Sequence, residues 1–308
     1  MNRACRTNGE LFLFKKILIT TKIRNMLRIA VQAKGRLYEE TMKMLEESSI
    51  KIEAGKRTLL IPAKNFPVEI LYLRDDDIPQ AVASGIADVG VVGENEFVER
   101  KEDAEVIKRL DFSKCRLSLA IPKAVDYKGL DWFEGKKIAT SYPGILKDFL
   151  KKNHINAEIH VITGSVEIAP GIGLADCIFD IVSSGGTLVS NNLKEVEVLM
   201  YSEALMIGNK NLTDEKKEIL NELLFRFDSY KNAEGKKYII LNIPNDKIDA
   251  VCNILPGMKS PTITPLVQEG WSSLHSVITE KTFWDIISQL KSLGAEGILV
   301  VPIEKMIL

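Results

Sequence analysis

The sequence predicts an α/β protein: two α/β lobes followed by a small domain of βαββαβ order. Three observations carry that expectation. Between Leu27 and Leu188 short apolar runs alternate with helical patterns, and small-residue loops join them. After residue 235 the pattern can be counted directly as strand, helix, strand, strand, helix, strand, the split unit of ferredoxin-like domains. Between these regions lies the stretch Glu167 to Leu188, EIAPGIGLADCIFDIVSSGGTL, where an apolar run meets a cluster of serine, glycine and threonine.

The totals bound what the chain can do. At 308 residues it can bury a sizeable core and divide into two or three domains. A formal net charge of -1 provides no global field for nucleic acid or an anionic membrane, so any anion site must be built from local Lys and Arg. The four cysteines, Cys5, Cys115, Cys177 and Cys252, show no metal-binding spacing and read as free thiols of a reducing, cytoplasmic compartment. With only three histidines, His154, His160 and His275, a histidine-based triad or metal cage has few candidates.

Residues 1–25 hold the apolar clusters LFLF and ILIT, but Lys15 and Lys16 interrupt them, so they are expected to be an extension outside the fold rather than a membrane span. Leu27 to Gln32 is a first strand, and Ala33 to Arg36 turn into an amphipathic helix from Leu37 to Ser48. Lys34, Gly35 and Arg36 thus stand where a strand ends and a helix starts, either as solvated charges or as an anion site of the kind found in open α/β sheets. Val68 to Leu73 is another strand. Of the three acids that follow Arg74, one could cap the Pro79 helix, which leaves Asp76 and a neighbour as excess charge on a rim. Ala87 to Gly93 is a buried strand, with Gly93 to Asn95 expected as a loop.

Cys115 to Pro122 begins the second lobe, and the composition from Trp132 to Ile138 suggests a crossing between lobes. Strand Ile138 to Thr140, loop Ser141 to Gly144 and helix Ile145 to Asn153 follow. Glu158 to Ile162 is a strand, and Gly164 to Glu167 is expected to open a helix. Cys177 to Val182 then suits a buried strand of a parallel sheet, broken only by Asp180. Ser183, Ser184, Gly185, Gly186 and Thr187 can take positive φ and present bare N–H groups and hydroxyls, as a plain turn or as an anion seat, before a helix from Leu188. An acid just before such a loop suits a ribose phosphate, its carboxylate on the hydroxyls and the loop on the phosphate.

Apolar strands return from Val196 to Met206, and Thr213 caps a long helix to Tyr230. The expected division is lobe I over residues 26–115 and 206–234, lobe II over 116–205, and the ferredoxin-like domain over 235–308. That last domain is read as strand Tyr238 to Ile243, helix Asp246 to Leu255, strands Thr262 to Leu266 and Ser272 to Thr279, helix Lys281 to Leu293 and strand Gly297 to Pro302. It carries no acid pair, nucleophile–base pair or phosphate loop, and the turns at Pro256 to Met258 and Ser260 to Thr262 are turn residues or a ligand seat between subunits.

The positions Glu167, Gly173, Ala175, Ile178, Asp180, Ile181, Ser184, Gly185, Thr187 and Leu188 together resemble the signature of the ATP phosphoribosyltransferases, which begin histidine biosynthesis. The resemblance extends through KGRLYE, RDDDIP, DVGVVGENE, CRLSLAIP, KKIATSYP and GAEGILVVPIEKM. It implies a two-lobed, periplasmic-binding-protein-like catalytic region and an ACT-like regulatory domain. It also implies the substrates ATP and phosphoribosyl pyrophosphate, Mg²⁺ as cofactor, inhibition by histidine, and a homo-oligomer, dimeric or hexameric. Glu167, Asp180 and Ser183 to Thr187 are then expected on phosphoribosyl pyrophosphate, with Glu167 and Asp180 as metal candidates. Lys34, Gly35, Arg36, Arg74, Asp76 and Tyr142 are expected on the nucleotide or pyrophosphate, and Thr262 and Gly297 on histidine. Two other classes compete: a two-lobed solute receptor, which needs no phosphate loop, and a nucleobase phosphoribosyltransferase, whose acid pair is broken here by Phe179 before Asp180.

Overall fold

The computed structural model describes residues 26–53, 58–255 and 257–308; the expected 1–25 extension, Cys5 and Pro256 lie outside them. Among these residues the chain forms three sheets in two compact units, one reaching Leu220 and the other running from Asn221 to the end, with residues 47–49 assigned to the second.

The first sheet is built from β1 (Leu27–Gln32), α1 (Arg36–Glu47), β2 (Leu60–Pro62), β3 (Val68–Leu73), α2 (Ile78–Ala83), β4 (Val89–Gly93), α3 (Glu94–Arg100) and β5 (Glu105–Arg109). Leu27, Ile29 and Val31 alternate with Arg28 and Gln32 along β1, yet Ala30 is buried as well, because both faces of this central strand are covered. β1 pairs in parallel with β3 and β4. Two expectations fail here. Asp75–Asp77 form a single 3-10 turn, and Asp77 at the α2 cap makes no side-chain cap hydrogen bond; Asp76 turns to Arg74 and Arg100 instead. Glu94 to Asn95 are not a loop, since α3 starts directly after β4.

The second sheet holds β6 (Cys115–Pro122), β7 (Lys137–Thr140), α4 (Pro143–Lys152), β8 (Glu158–Val161), β9 (Cys177–Val182), α5 (Gly186–Ser190) and β10 (Leu193–Ser202). Its order is β10-β6-β9-β7-β8. β9 is parallel to β7 but antiparallel to β6, so the expected all-parallel surrounding is wrong on one side. The reason is topological: β6 carries the chain into the lobe and runs against both of its neighbours, β9 and β10, so that β10 leaves the lobe in the direction of β9. Trp132 and Phe133 do not mark a crossing; Phe133 is 0% exposed in the core of this sheet, with Trp132 packed against it. Gly164 to Glu167 lead into a 3-10 turn, Val166–Ile168, rather than a helix. The helix after the Ser/Gly cluster starts at Gly186, two residues earlier than expected.

β11 (Ala204–Gly208) returns to the first sheet between β4 and β5, antiparallel to both. Two connections between two α/β sheets make the two-lobed, periplasmic-binding-protein-like plan. α6 (Asp214–Ala233) follows, its Lys216 N–H donating to Thr213 Oγ1, and the division between the compact units falls inside this helix.

The second unit continues through β12 (Lys236–Pro244), α7 (Ile248–Ile254), β13 (Thr262–Pro265), β14 (Trp271–Thr279), α8 (Glu280–Ser292) and β15 (Glu296–Pro302), in the order expected of a ferredoxin-like domain. Its sheet, β13-β14-β12-β15, buries Ile239, Leu241, Ile243 and Leu274 in a core shared with Val251 of α7 and Leu290 of α8. Among the described residues no helix is long and apolar enough to cross a membrane.

Candidate active site

Asp180 is the one acid in the apolar β9, and the strand alternation turns it to the same face as Ile178 and Val182. This face is covered by Val166 and Ala169 at the 3-10 turn and by Leu188 of α5. Where the cover ends, a cavity of about 270 Å³ opens, lined by Glu167, Asp180, Ser183, Ser184, Gly185 and Thr187 among others. Six of the seven residues expected on phosphoribosyl pyrophosphate therefore line one hollow; Gly186, the first residue of α5, is not in its lining.

The loop has a physical reason for its composition. Gly185 stands at φ +83°, in the left-handed region that other residues enter only with strain, and nothing lies within 4 Å of where its Cβ would be. The constraint is thus the backbone, not space. Turning the chain there lets α5 begin at once, so the N–H groups of its first turn, which have no intrahelical acceptor, stand beside the cavity.

Burial sets the electrostatics. The Asp180 carboxyl is pushed up to about 6, chiefly because it is buried and secondarily because the Glu167 carboxylate faces it, against an opposing hydrogen bond from the Ile181 backbone. A carboxylate held this way gains from any ligand that brings hydroxyl donors or a cation.

Among the described residues, lobe I reaches this hollow through Arg36. Arg36 Nη1 donates to Ser183 Oγ at 3.0 Å, while its Nε lies 3.4 Å from Glu40 one turn along α1. Glu40 in turn accepts from Ser113 Oγ. Lys34 is exposed beside Gly35, which stands at φ +93° and lets the chain turn from β1 into α1. Arg74 and Asp76, expected on the nucleotide, pair with each other at 3.1 Å, and Asp76 also meets Arg100 at 3.5 Å. Tyr142 is only 5% exposed; its hydroxyl accepts from Asn95 Nδ2 at 3.1 Å, and burial together with Glu96 raises its pKa. Its ring packs in the core of the second sheet instead of standing free in the cleft.

Sequence reasoning missed several polar groups around the site. Arg116 and Ser118 of β6 and Glu195 of β10 form a hydrogen-bonded set whose far end is the carbonyl of Ser183. Their signal was present as the alternation of Arg116 and Ser118 with Leu117 and Leu119, polar residues on one face of a strand otherwise buried. In the second unit Thr262 is exposed on the edge strand β13, opposite His275 of β14. Gly297 stands at φ +57° with Asn242 Nδ2 3.1 Å from where a Cβ would lie.

Comparison with known proteins agrees along the chain. Residues 74–229 match the family model described as ATP phosphoribosyltransferase, and residues 233–305 match that of the HisG C-terminal domain. An ATP phosphoribosyltransferase of Phocaeicola vulgatus is 72% identical over 283 residues, covering 92% of this chain and 100% of the relative. One from Cytophaga hutchinsonii is 56% identical over 282 residues, covering 92% and 99%. A chain of the ATP phosphoribosyl transferase (HisG:HisZ) complex from Thermotoga maritima superposes with a TM-score of 0.58 at 27% identity, over 66% of this chain and 96% of that one. A small-residue loop after a partly buried acid, in a two-lobed fold joined to a ferredoxin-like domain, agrees with these matches over nearly the whole length, which place this chain in the ATP phosphoribosyltransferase family, the enzymes of the first step of histidine biosynthesis.

Proposed function

We propose that the hollow under α5 seats the ribose 5-phosphate of phosphoribosyl pyrophosphate, and that N1 of the ATP purine displaces pyrophosphate from C1 of the sugar held there. The observation that carries this reading is the pairing of a partly buried, reluctantly ionised Asp180 with an open Ser183–Thr187 loop in one cavity. Hydroxyls of Ser183, Ser184 and Thr187 and the backbone N–H groups around Gly185 take the phosphate. Asp180 accepts from the ribose hydroxyls, which restores the solvation that burial removed.

The ring nitrogen of the purine carries its own lone pair, so the reaction needs no strong general base. Positive charge builds on the sugar and negative charge on the departing pyrophosphate. Catalysis then rests on holding two reactants in line and on stabilising the leaving group. Arg36, already at the edge of the loop, and Lys34 beside it are the cations for that purpose, with Arg74 and Asp76 farther along the rim of lobe I.

Among the described residues no three acidic, histidine or cysteine side chains gather as a metal cage. Glu167 and Asp180 nonetheless fit Mg²⁺, because two hard carboxylates facing each other are the small protein share such an ion takes when substrate oxygens and water supply the rest. Bound there, it would neutralise charge on the leaving pyrophosphate.

Histidine is the proposed inhibitor, taken by the ferredoxin-like domain near Thr262 and the Gly294 to Gly297 turn. A homo-oligomer, dimeric or hexameric, is the proposed working form, with the histidine seat between subunits.

Thr187→Ala tests the seat. Losing one hydrogen bond to a charged group costs about 1 to 3 kcal/mol, so the KM for phosphoribosyl pyrophosphate should rise roughly five- to 150-fold while that for ATP changes little. An unaltered KM for phosphoribosyl pyrophosphate would place its phosphate elsewhere.

A further inference from the structure

We propose that Arg116 is a positioning residue for the phosphate loop: a bridge that ties the β10 carboxylate of Glu195 to the carbonyl of Ser183 and so fixes which way the loop's next N–H points. The inference rests on the reading of Ser183–Thr187 as the phosphate seat.

The sheet register brings the parts together. In the antiparallel pair β6–β9, Arg116 lies opposite Val182 and Ser118 opposite Asp180; across the other edge of β6, Ala120 lies opposite Glu195. Residues directly opposite share a face, so Arg116, Ser118 and Glu195 stand on the face that carries Asp180 and is covered by α5. Glu195 accepts from Arg116 Nε and Nη2, both at 2.5 Å, and from Ser118 Oγ at 2.6 Å. With its fork clamped, the guanidinium has a fixed plane, and its remaining nitrogen, Nη1, donates to Ser183 O at 3.1 Å. Both side chains of the pair are mostly covered, at 28% and 23% exposure, so water competes only in part.

The consequence follows from peptide geometry. Across a trans peptide the C=O and the following N–H point in opposite directions. Holding the Ser183 carbonyl toward Arg116 therefore sends the Ser184 N–H away from that arginine, and so sets its direction within a loop whose Ser183, Ser184 and Gly185 line the cavity. Arg36 of lobe I holds the hydroxyl of the same Ser183. One serine is thus gripped at two atoms by two arginines of different roles. Arg36 is a cation at the mouth of the hollow, whereas Arg116 has its charge matched by Glu195 and acts through the backbone.

Only the planar fork of Arg can hold a carboxylate with two donors and reach a carbonyl with a third; a Lys ammonium is a single point. The test is steady-state kinetics for both substrates on Arg116→Met, Arg116→Lys, Glu195→Gln and the Arg116→Met/Glu195→Gln pair, with thermal melts of each and Thr187→Ala alongside. The expected result is a KM for phosphoribosyl pyrophosphate raised about tenfold or more in Arg116→Met, not rescued in Arg116→Lys, and raised in Glu195→Gln, with the KM for ATP within about twofold throughout. The double variant should be no worse than Arg116→Met alone, because the two residues act as one unit.

Rescue by Lys would overturn the bridge, since charge alone would then suffice. A wild-type KM for phosphoribosyl pyrophosphate in Glu195→Gln beside a raised one in Arg116→Met would also overturn it, making Arg116 a direct phosphate ligand. Lower melting temperatures with both KM values unmoved would reduce the pair to a structural role and reject the proposal. Should Arg116→Met fail to fold, Arg116→Lys and Glu195→Gln decide alone. An unmoved Thr187→Ala would remove the seat and this proposal together, whereas a raised KM there beside unmoved Arg116 and Glu195 variants would reject the bridge and leave the seat intact.

Discussion

Asp180 shows what a partly buried carboxyl costs a fold. Its folded pKa, about 6, lies above the ordinary carboxyl range because burial opposes its charge. A raised acid favours the protonated fold, so the group stabilises the protein fully only below the ordinary value near 4, and that contribution is lost as pH rises through 6. At pH 7 the ligand-free protein is therefore strained by up to about 3 kcal/mol at this one carboxylate. Asp180→Asn should accordingly raise the melting temperature of the ligand-free protein at pH 7 and lose that advantage near pH 4, read by thermal melts at both pH values. A variant less stable than wild type at pH 7 would contradict the burial argument. The same titration predicts that the KM for phosphoribosyl pyrophosphate climbs as pH falls below about 6, where the carboxylate that accepts the ribose hydroxyls is lost. A KM that stays flat down to pH 5 would exclude an ionised Asp180 from binding.

At the scale of elements, the two lobes are fastened where α3 meets α4. Pro143 starts α4 and has no N–H to satisfy, and Tyr142 at the cap position offers no side-chain bond. The cap comes instead from the other lobe. Gly144 N–H donates to Glu99 Oε1 at 2.7 Å and Ile145 N–H to Oε2 at 2.8 Å, which also sets a carboxylate against the positive end of the helix. A Cβ at Gly144 would lie 2.9 Å from Glu99 Oε1, so a larger residue there would push the capping carboxylate aside. Lys101 to Asp148 at 2.8 Å and the buried chain Ser202–Asn95–Tyr142 complete the clasp. Glu99→Ala should cost about 1 to 2 kcal/mol, the range for a lost helix cap, and lower the melting temperature by several degrees. Equal melting curves for the two proteins would mean that the cap adds nothing. Pro143 and Gly144 can be read from the sequence as a turn leading into a helix, but the residue that caps that helix lies 45 positions earlier, and no local rule searches so far.

For the whole molecule, three sheets divide the work: two carry at their strand ends the loops proposed to bind the substrates' anions, and the third has neither an acid pair nor a small-residue loop of that kind. If the third sheet takes histidine, Thr262→Arg should raise the half-inhibiting histidine concentration about tenfold while kcat without histidine stays the same. Unchanged inhibition in that variant would remove the β13 edge from the histidine seat. The sequence alone determined the element order, the small-residue loop after β9 and the acid before it, because periodicity, positive-φ glycines and a lone charge in an apolar strand are local signals. It also exposed the family through positions spread along the chain. Only the tertiary structure decided that Tyr142 turns inward to Asn95, that β6 runs against β9, and that Arg116, 67 residues before Ser183, holds that residue's carbonyl. Those facts depend on strand direction and register, which bring distant residues onto one face and which no window of neighbouring residues encodes.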